Sequence, residues 1–167
     1  MEHKEPDKVP VDLGSTLATG IMGMAYHQLK AYLGIRAGRT RIYDFGQQLA
    51  EPEIDLLIRL GTDTLSVSIS EPKKCKKSTL PDGSPCEIPR AFNPEVAPDG
   101  SQILRNSTGR AVAKMPKNGY YFDPLYHPLQ NINTIKGLES EWQNIYSTMW
   151  SPTLINDSIL NDLRKRV

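Results

Sequence analysis

Apolar and polar positions alternate over Val9-Pro10-Val11-Asp12-Leu13 and then change period, so that Leu17, Ile21, Met24, Ala25, Leu29, Tyr32 and Leu33 recur at helical spacing. The pattern predicts a short strand running directly into an amphipathic helix, capped by Ser15 or Thr16 and closed by Gly34. In α/β proteins the C-terminal end of a strand is where short polar side chains and backbone groups face a ligand. The turn Asp12-Leu13-Gly14-Ser15-Thr16 is therefore a candidate site wall. A bare helix start also suits an anion, and a plain capped core helix is the alternative.

Further along, Arg36 to Thr40 forms a basic, glycine-containing loop, read as a solvated connection in preference to a phosphate contact. The stretch Arg41 to Ala50 is rich in aromatic and amide side chains and has no clean period. Pro52 opens a second predicted helix, with Ile54, Leu57, Ile58 and Leu60 on its buried side and Gly61 as its stop. Alternation of Leu65, Val67 and Ile69 with polar residues predicts a strand over 62–69. The order β, α, α, β favours a right-handed parallel crossover.

From Glu71 to about Asp123 the pattern changes to turn signals separated by short strand-like pieces. The turns are Pro81-Asp82-Gly83-Ser84, Pro98-Asp99-Gly100-Ser101 and Asn106-Ser107-Thr108-Gly109, and they predict a meander of hairpins. Placed between two β/α units, such an insertion makes a lid or an oligomer contact. The densest aromatic segment, Gly119 to Leu129, contains Tyr120, Tyr121, Phe122, Tyr126 and His127, and suits either anchoring of the hairpins or a pocket wall. Thr134 to Tyr146 is helix-like, with Ile135, Leu138, Trp142 and Ile145 on one side. Asn156 or Asp157 then caps a last helix whose stripe Ile159, Leu160, Leu163 and Val167 runs into the C-terminus.

Composition narrows the partners. The 167 residues suit one domain with a sizeable core but fall short of the roughly 250 of a closed eightfold β/α barrel. A net charge of +1 gives no reason to expect nucleic acid or an anionic membrane, and the cluster Lys73-Lys74-Cys75-Lys76-Lys77 lacks the aromatic interleaving of a nucleic-acid site. No apolar run approaches the roughly 18 residues of a membrane span, and the first seven residues lack a signal-peptide core, so a cytoplasmic location is expected. The sequons at Asn106 and Asn156 then read as an ordinary turn and helix start. Cys75 and Cys86 flank a turn and could oppose each other across a hairpin; reduced thiols are the expectation in that compartment, and no His lies at zinc-ligand spacing.

The segment Glu5-Pro6-Asp7-Lys8-Val9-Pro10-Val11-Asp12-Leu13-Gly14 resembles the opening "EPDRVPVDLG" of bacterial proteins in the uroporphyrinogen-decarboxylase-like superfamily. The likeness continues through Tyr43-Asp44, Gln47 to Pro52, and Leu60 to Asp63. Leu80 to Pro85 and Lys117 to Asp123 resemble the hairpin insertion of one branch. The resemblance implies a β/α barrel and one of two activities, decarboxylation of a porphyrinogen or cobalamin-dependent methyl transfer from a small methylated substrate. The decarboxylases carry an arginine-rich segment after the first strand, where this chain has Leu13-Gly14-Ser15-Thr16, and an aspartate near the position of Ser68-Ile69-Ser70. A tetrapyrrole bearing eight carboxylates needs guanidinium partners, so the methyltransferase branch is favoured. That branch implies zinc, held by His and Cys residues late in the barrel, and a corrinoid protein as partner.

The resulting expectation is an α/β chain, the N-terminal part of a TIM (β/α) barrel with a β-hairpin insertion. Residues 1–70 would be the first β/α units, 71–130 the insertion or lid, and 131–167 helices leading to an absent strand. The chain would be inactive alone and hold no cofactor itself. Asp12, Ser15, Tyr43 and Gln47 are the candidate pocket residues for a small or neutral substrate, with Tyr121 and His127 on the lid. A decarboxylase-type lyase is one alternative. A self-associating, non-catalytic binding module is another, motivated by open edges and an uncapped last helix; a gene fragment is the third.

Overall fold

The computed structural model describes residues 7–67, 74–106, 108–127, 129–139, 141–142 and 157–165. The chain divides into two compact units, Met1–Arg90 and Ala91–Val167. Ile69, Glu71, Ile145, Tyr146, Asn156 and Val167, named in the helix and strand expectations, lie outside the described residues.

The first unit is built on a five-stranded sheet. Its elements are β1 (Ile21–Met22), α1 (Gly23–Tyr32), β2 (Arg41–Asp44), β3 (Leu49–Glu51), α2 (Ile54–Leu60), β4 (Cys75–Thr79) and β5 (Pro85–Pro89). The strand order is β1-β3-β2-β5-β4. Every neighbouring pair is antiparallel except β2 and β5, which meet in parallel at Arg41 and Glu87.

This architecture overturns the barrel. A β/α barrel fragment requires successive parallel strands with helices between them, whereas these strands pair mostly as antiparallel neighbours beside only a few short helices. The predicted opening strand shows why. Val9 to Leu13 forms no ladder: Pro10 has no N–H to donate, and Val9 and Val11 are exposed. It is instead tied to residues 63–64; at Asp63 the backbone N–H donates to Val11 O at 2.8 Å and the carboxylate accepts Val11 N–H at 2.9 Å.

Helix α1 starts at Gly23, later than the period suggested, because residues 15–19 are taken up in turns closed by Asp12 and by Thr16 with Thr19. Gly23 is needed where it stands: its N–H donates to Gln48 O at 2.8 Å, and a Cβ there would lie 2.5 Å from Ile42 Cδ1. The buried face of α1 is Gly23, Tyr26 and Lys30, at i, i+3 and i+7, while Tyr32 is 88% exposed. On α2 the buried residues are Leu56 and Leu57, and the predicted core residue Ile58 is 69% exposed. Gly61 closes α2 in a left-handed conformation, as its position predicts. Tyr26, Ile42, Ala50, Leu56, Leu80 and Cys86 form the core of this unit.

The second unit contains a four-stranded antiparallel meander, β6 (Glu95–Val96), β7 (Gln102–Arg105), β8 (Ala111–Met115) and β9 (Asp123–Pro124), in chain order across the sheet. Helical turns follow at 135–139, and a helix spans Asp157–Arg164. The three predicted turn signals join β4 to β5, β6 to β7, and β7 to β8. Asp82, Asp99 and Asn106 each accept the backbone N–H two residues on, together with its Ser or Thr hydroxyl. Among the described residues, no helix is long and apolar enough to cross a membrane.

Candidate functional site

A polar hub inside the first unit joins α1 to the start of α2. The Tyr26 side chain is fully buried, and its hydroxyl accepts the Glu53 N–H at 2.9 Å and donates to Glu53 Oε2 at 3.1 Å. Lys30, 6% exposed, forms a short ion pair with the same carboxylate, and its Nζ lies 5.5 Å from the Tyr26 ring centroid. Burying an ammonium is tolerated only with a carboxylate and hydrogen bonds around it, and Glu53 supplies the first. Burial pushes the Tyr26 hydroxyl up to about 12. At Glu53 partial burial acts to raise the carboxyl, but the bonds from Lys30 and the Arg39 N–H outweigh it and hold it below the usual range.

The hub fixes the loop over 36–40. Arg39 N–H donates to Glu53 Oε1 at 2.9 Å, and Lys30 Nζ reaches Arg39 O at 3.4 Å. Gly38, at φ +83°, sits so close to the Glu53 carboxylate that a Cβ would collide with it. A basic loop is thereby tied at two backbone points to an ion pair between a buried lysine and a half-buried glutamate.

Between this loop, the C-terminal half of α1 and the β4–β5 hairpin lies a cleft of about 650 Å³, within the size range of small-molecule sites. Its ionisable walls are His27, Lys30, Arg36, Arg39, Lys77 and Glu87. Arg36, Arg39 and Lys77 are exposed and form no ion pair among the described residues. Cys86 contributes a buried thiol whose pKa burial raises, leaving it protonated at neutral pH. With the lysine paired, the tyrosine pushed up and the thiol neutral, these groups are suited to binding and offer no activated nucleophile. The two cysteines do not face each other: Cys75 is opposite Pro89 and Cys86 opposite Ser78, and both are free thiols.

The six sequence candidates are distributed over both units. Asp12 and Ser15 meet directly, with Ser15 Oγ donating to Asp12 Oδ2 at 2.6 Å and Thr64 Oγ1 donating to Asp12 Oδ1 at 2.5 Å. These hydroxyls hold the Asp12 carboxyl at about 2. They also occupy it, so the turn is tied to residues 63–64 by its own polar atoms. Tyr43 lies in β2, where the register shifts between Ile42 and Asp44; its hydroxyl is buried and finds no hydrogen-bond partner among the described residues. Gln47 is exposed in the β2–β3 turn, where its N–H donates to Asp44 Oδ1 at 2.8 Å.

Tyr121 and His127 belong to the second unit, Tyr121 being exposed. His127 lines a shallow hollow with Arg110, Tyr126 and Glu141, in which the Arg110 guanidinium lies 4.7 Å from the Tyr126 ring centroid. Among the described residues there is no cluster of three or more His, Cys, Asp or Glu side chains able to hold a metal.

Sequence reading missed Tyr26, Lys30 and Glu53. The signal was a lysine on the same helical face as Gly23 and Tyr26, which an apolar-period search assigns to solvent. Its partner lies 23 residues away, beyond the reach of any local pattern.

No family model, curated protein or solved structure matches this chain.

Proposed function

We propose that the chain binds a small molecule in the cleft beside α1 and serves an enzyme activity of the uroporphyrinogen-decarboxylase-like kind that its sequence strings resemble. One observation carries the binding role: a glycine-containing basic loop is locked to the half-buried Lys30–Glu53 pair and forms one wall of a cleft of about 650 Å³. A wall fixed in advance loses little freedom when a ligand arrives, which favours affinity. Methyl transfer to a corrinoid protein is the activity that the sequence likeness supports.

Gly38→Ala tests the role of the loop, because its Cβ would push the loop off Glu53 at a backbone φ that disfavours a side chain. The chain and this variant are screened by thermal shift against small methylated amines, alcohols and aryl ethers, carboxylates and phosphate esters. At least one class is expected to raise the melting temperature of the native chain, and Gly38→Ala, still folded by circular dichroism, is expected to lose at least tenfold in affinity. Equal affinity in both proteins would remove the cleft from the account. Zinc and hydroxocobalamin, included in the same screen, are expected not to bind.

A further inference from the structure

Resting on the assignment of the cleft as the ligand site, we infer that its ligand carries a compact dianionic group, of the phosphate or dicarboxylate class. Counting formal charges on the walls carries the inference. Lys30 is already neutralised by Glu53, so the side chains left to act on a ligand are Arg36, Arg39 and Lys77 against Glu87, three positive and one negative, a balance of +2. The whole chain carries only +1, so the local excess is a property of this place and not of the surface at large.

The cations also come from different sides. Arg36 and Arg39 belong to the loop held by the hub, and Lys77 to the β4 strand of the opposite hairpin. Guanidinium groups suit bidentate bonds to phosphate or carboxylate oxygens, and an ammonium adds a point charge from across the cleft. A monoanion would leave one positive charge uncompensated, and a neutral ligand would leave two. Ser78 and the backbone of the glycine-containing loop add polar groups to the lining.

Isothermal titration of the full chain with inorganic phosphate and, separately, malonate tests this, with Arg36→Ala/Arg39→Ala and Lys77→Ala as variants. All three side chains are exposed and unpaired among the described residues, so the variants are expected to melt where the native chain does. The double variant is expected to bind at least tenfold more weakly and Lys77→Ala at least threefold, with the native affinity falling as salt rises. Phosphate or malonate bound equally by the native chain and the double variant would overturn the inference. A neutral compound from the screen that binds in a Gly38-dependent way, while both anions fail, would overturn the charge assignment and leave the cleft as the ligand site. Failure of every compound, charged and neutral, would overturn both.

Discussion

The two units hold themselves together by different physics. In Met1–Arg90 six buried side chains from two helices, three strands and a turn form one core, with a paired lysine set at its edge. In Ala91–Val167 Met115 and Phe122 are buried, Phe92 meets Phe122 edge to face at 6.0 Å, and the hairpins are closed by local side-chain bonds. Arg105 Nε donates to Glu95 at 2.6 Å, Lys114 Nζ donates to Asp99 at 3.2 Å, and Asn106 accepts from Arg110 N–H at 2.9 Å. Long-range burial can fix a loop against a distant element, whereas turn bonds fix only the turn itself. A cleft wall anchored by long-range bonds accordingly occurs in the first unit.

The contrast is broken or sharpened most strongly by a core deletion. Leu56→Ala is expected to cost the first unit about 3 kcal/mol, from lost burial and the cavity left behind, measured by urea denaturation. A loss below about 1 kcal/mol would mean that the core is looser than its burial implies. Next comes Lys30→Met, which keeps the bulk and strands the Glu53 carboxylate. It is expected to cost about 2 kcal/mol, less than a fully buried pair would because Glu53 keeps some solvent contact. A neutral or stabilising result would show that the ion pair is dispensable to the fold.

Smaller effects come from the turns and from acid. Asp99→Ala removes a carboxylate that accepts both Ser101 N–H and Ser101 Oγ, and is expected to loosen the β6–β7 hairpin alone, read as faster amide exchange over 97–101. Spread of that exchange into β2 or β5 would contradict the separation of the units.

Asp12 and Asp99 are each held at about 2 by their hydroxyl and backbone donors. A depressed carboxyl stabilises the fold fully above its unfolded value, near 4, and loses that contribution as pH falls through the folded value. Stability is therefore expected to be flat from neutral pH to about 4 and to decline between about 4 and 2. Glu53, also lowered, contributes in the same direction to the first unit. A decline beginning above about 5 would point to other groups.

The parts legible in the sequence were those encoded locally. Asp82, Asp99 and Asn106 close their turns with bonds spanning two residues, and Gly61 ends α2 one position past its last helical residue. Beyond the hairpins that these turns join, strand pairing was not legible. β1 and β3 are two and three residues long, too short for a period to register, and the β2–β5 contact joins residues far apart in the chain. The apolar alternation at Val9 and Val11 suggested a barrel strand, yet neither side chain is buried.

At the site, the loop from Arg36 to Thr40 was recognisable as basic, but its anchoring depends on Glu53 and Lys30 meeting through the fold. Asp12 and Ser15, read from the sequence as pocket residues, lie in one turn, where the Asp12 oxygens accept from Ser15 and Thr64 and so hold the turn. Position along a helix face misled for a related reason. A tyrosine and a lysine can be buried when a carboxylate takes their polar ends, and hydropathy alone assigns both to the surface.

The most direct test of the central claim is a phosphate titration of the isotopically labelled chain followed by two-dimensional amide NMR. Shifts are predicted to concentrate at 27–40 and 77–87, around the hub-anchored loop and the facing hairpin. Shifts centred on the Asp12 turn or on the Arg110–Tyr126 hollow, or no shifts at all, would contradict it.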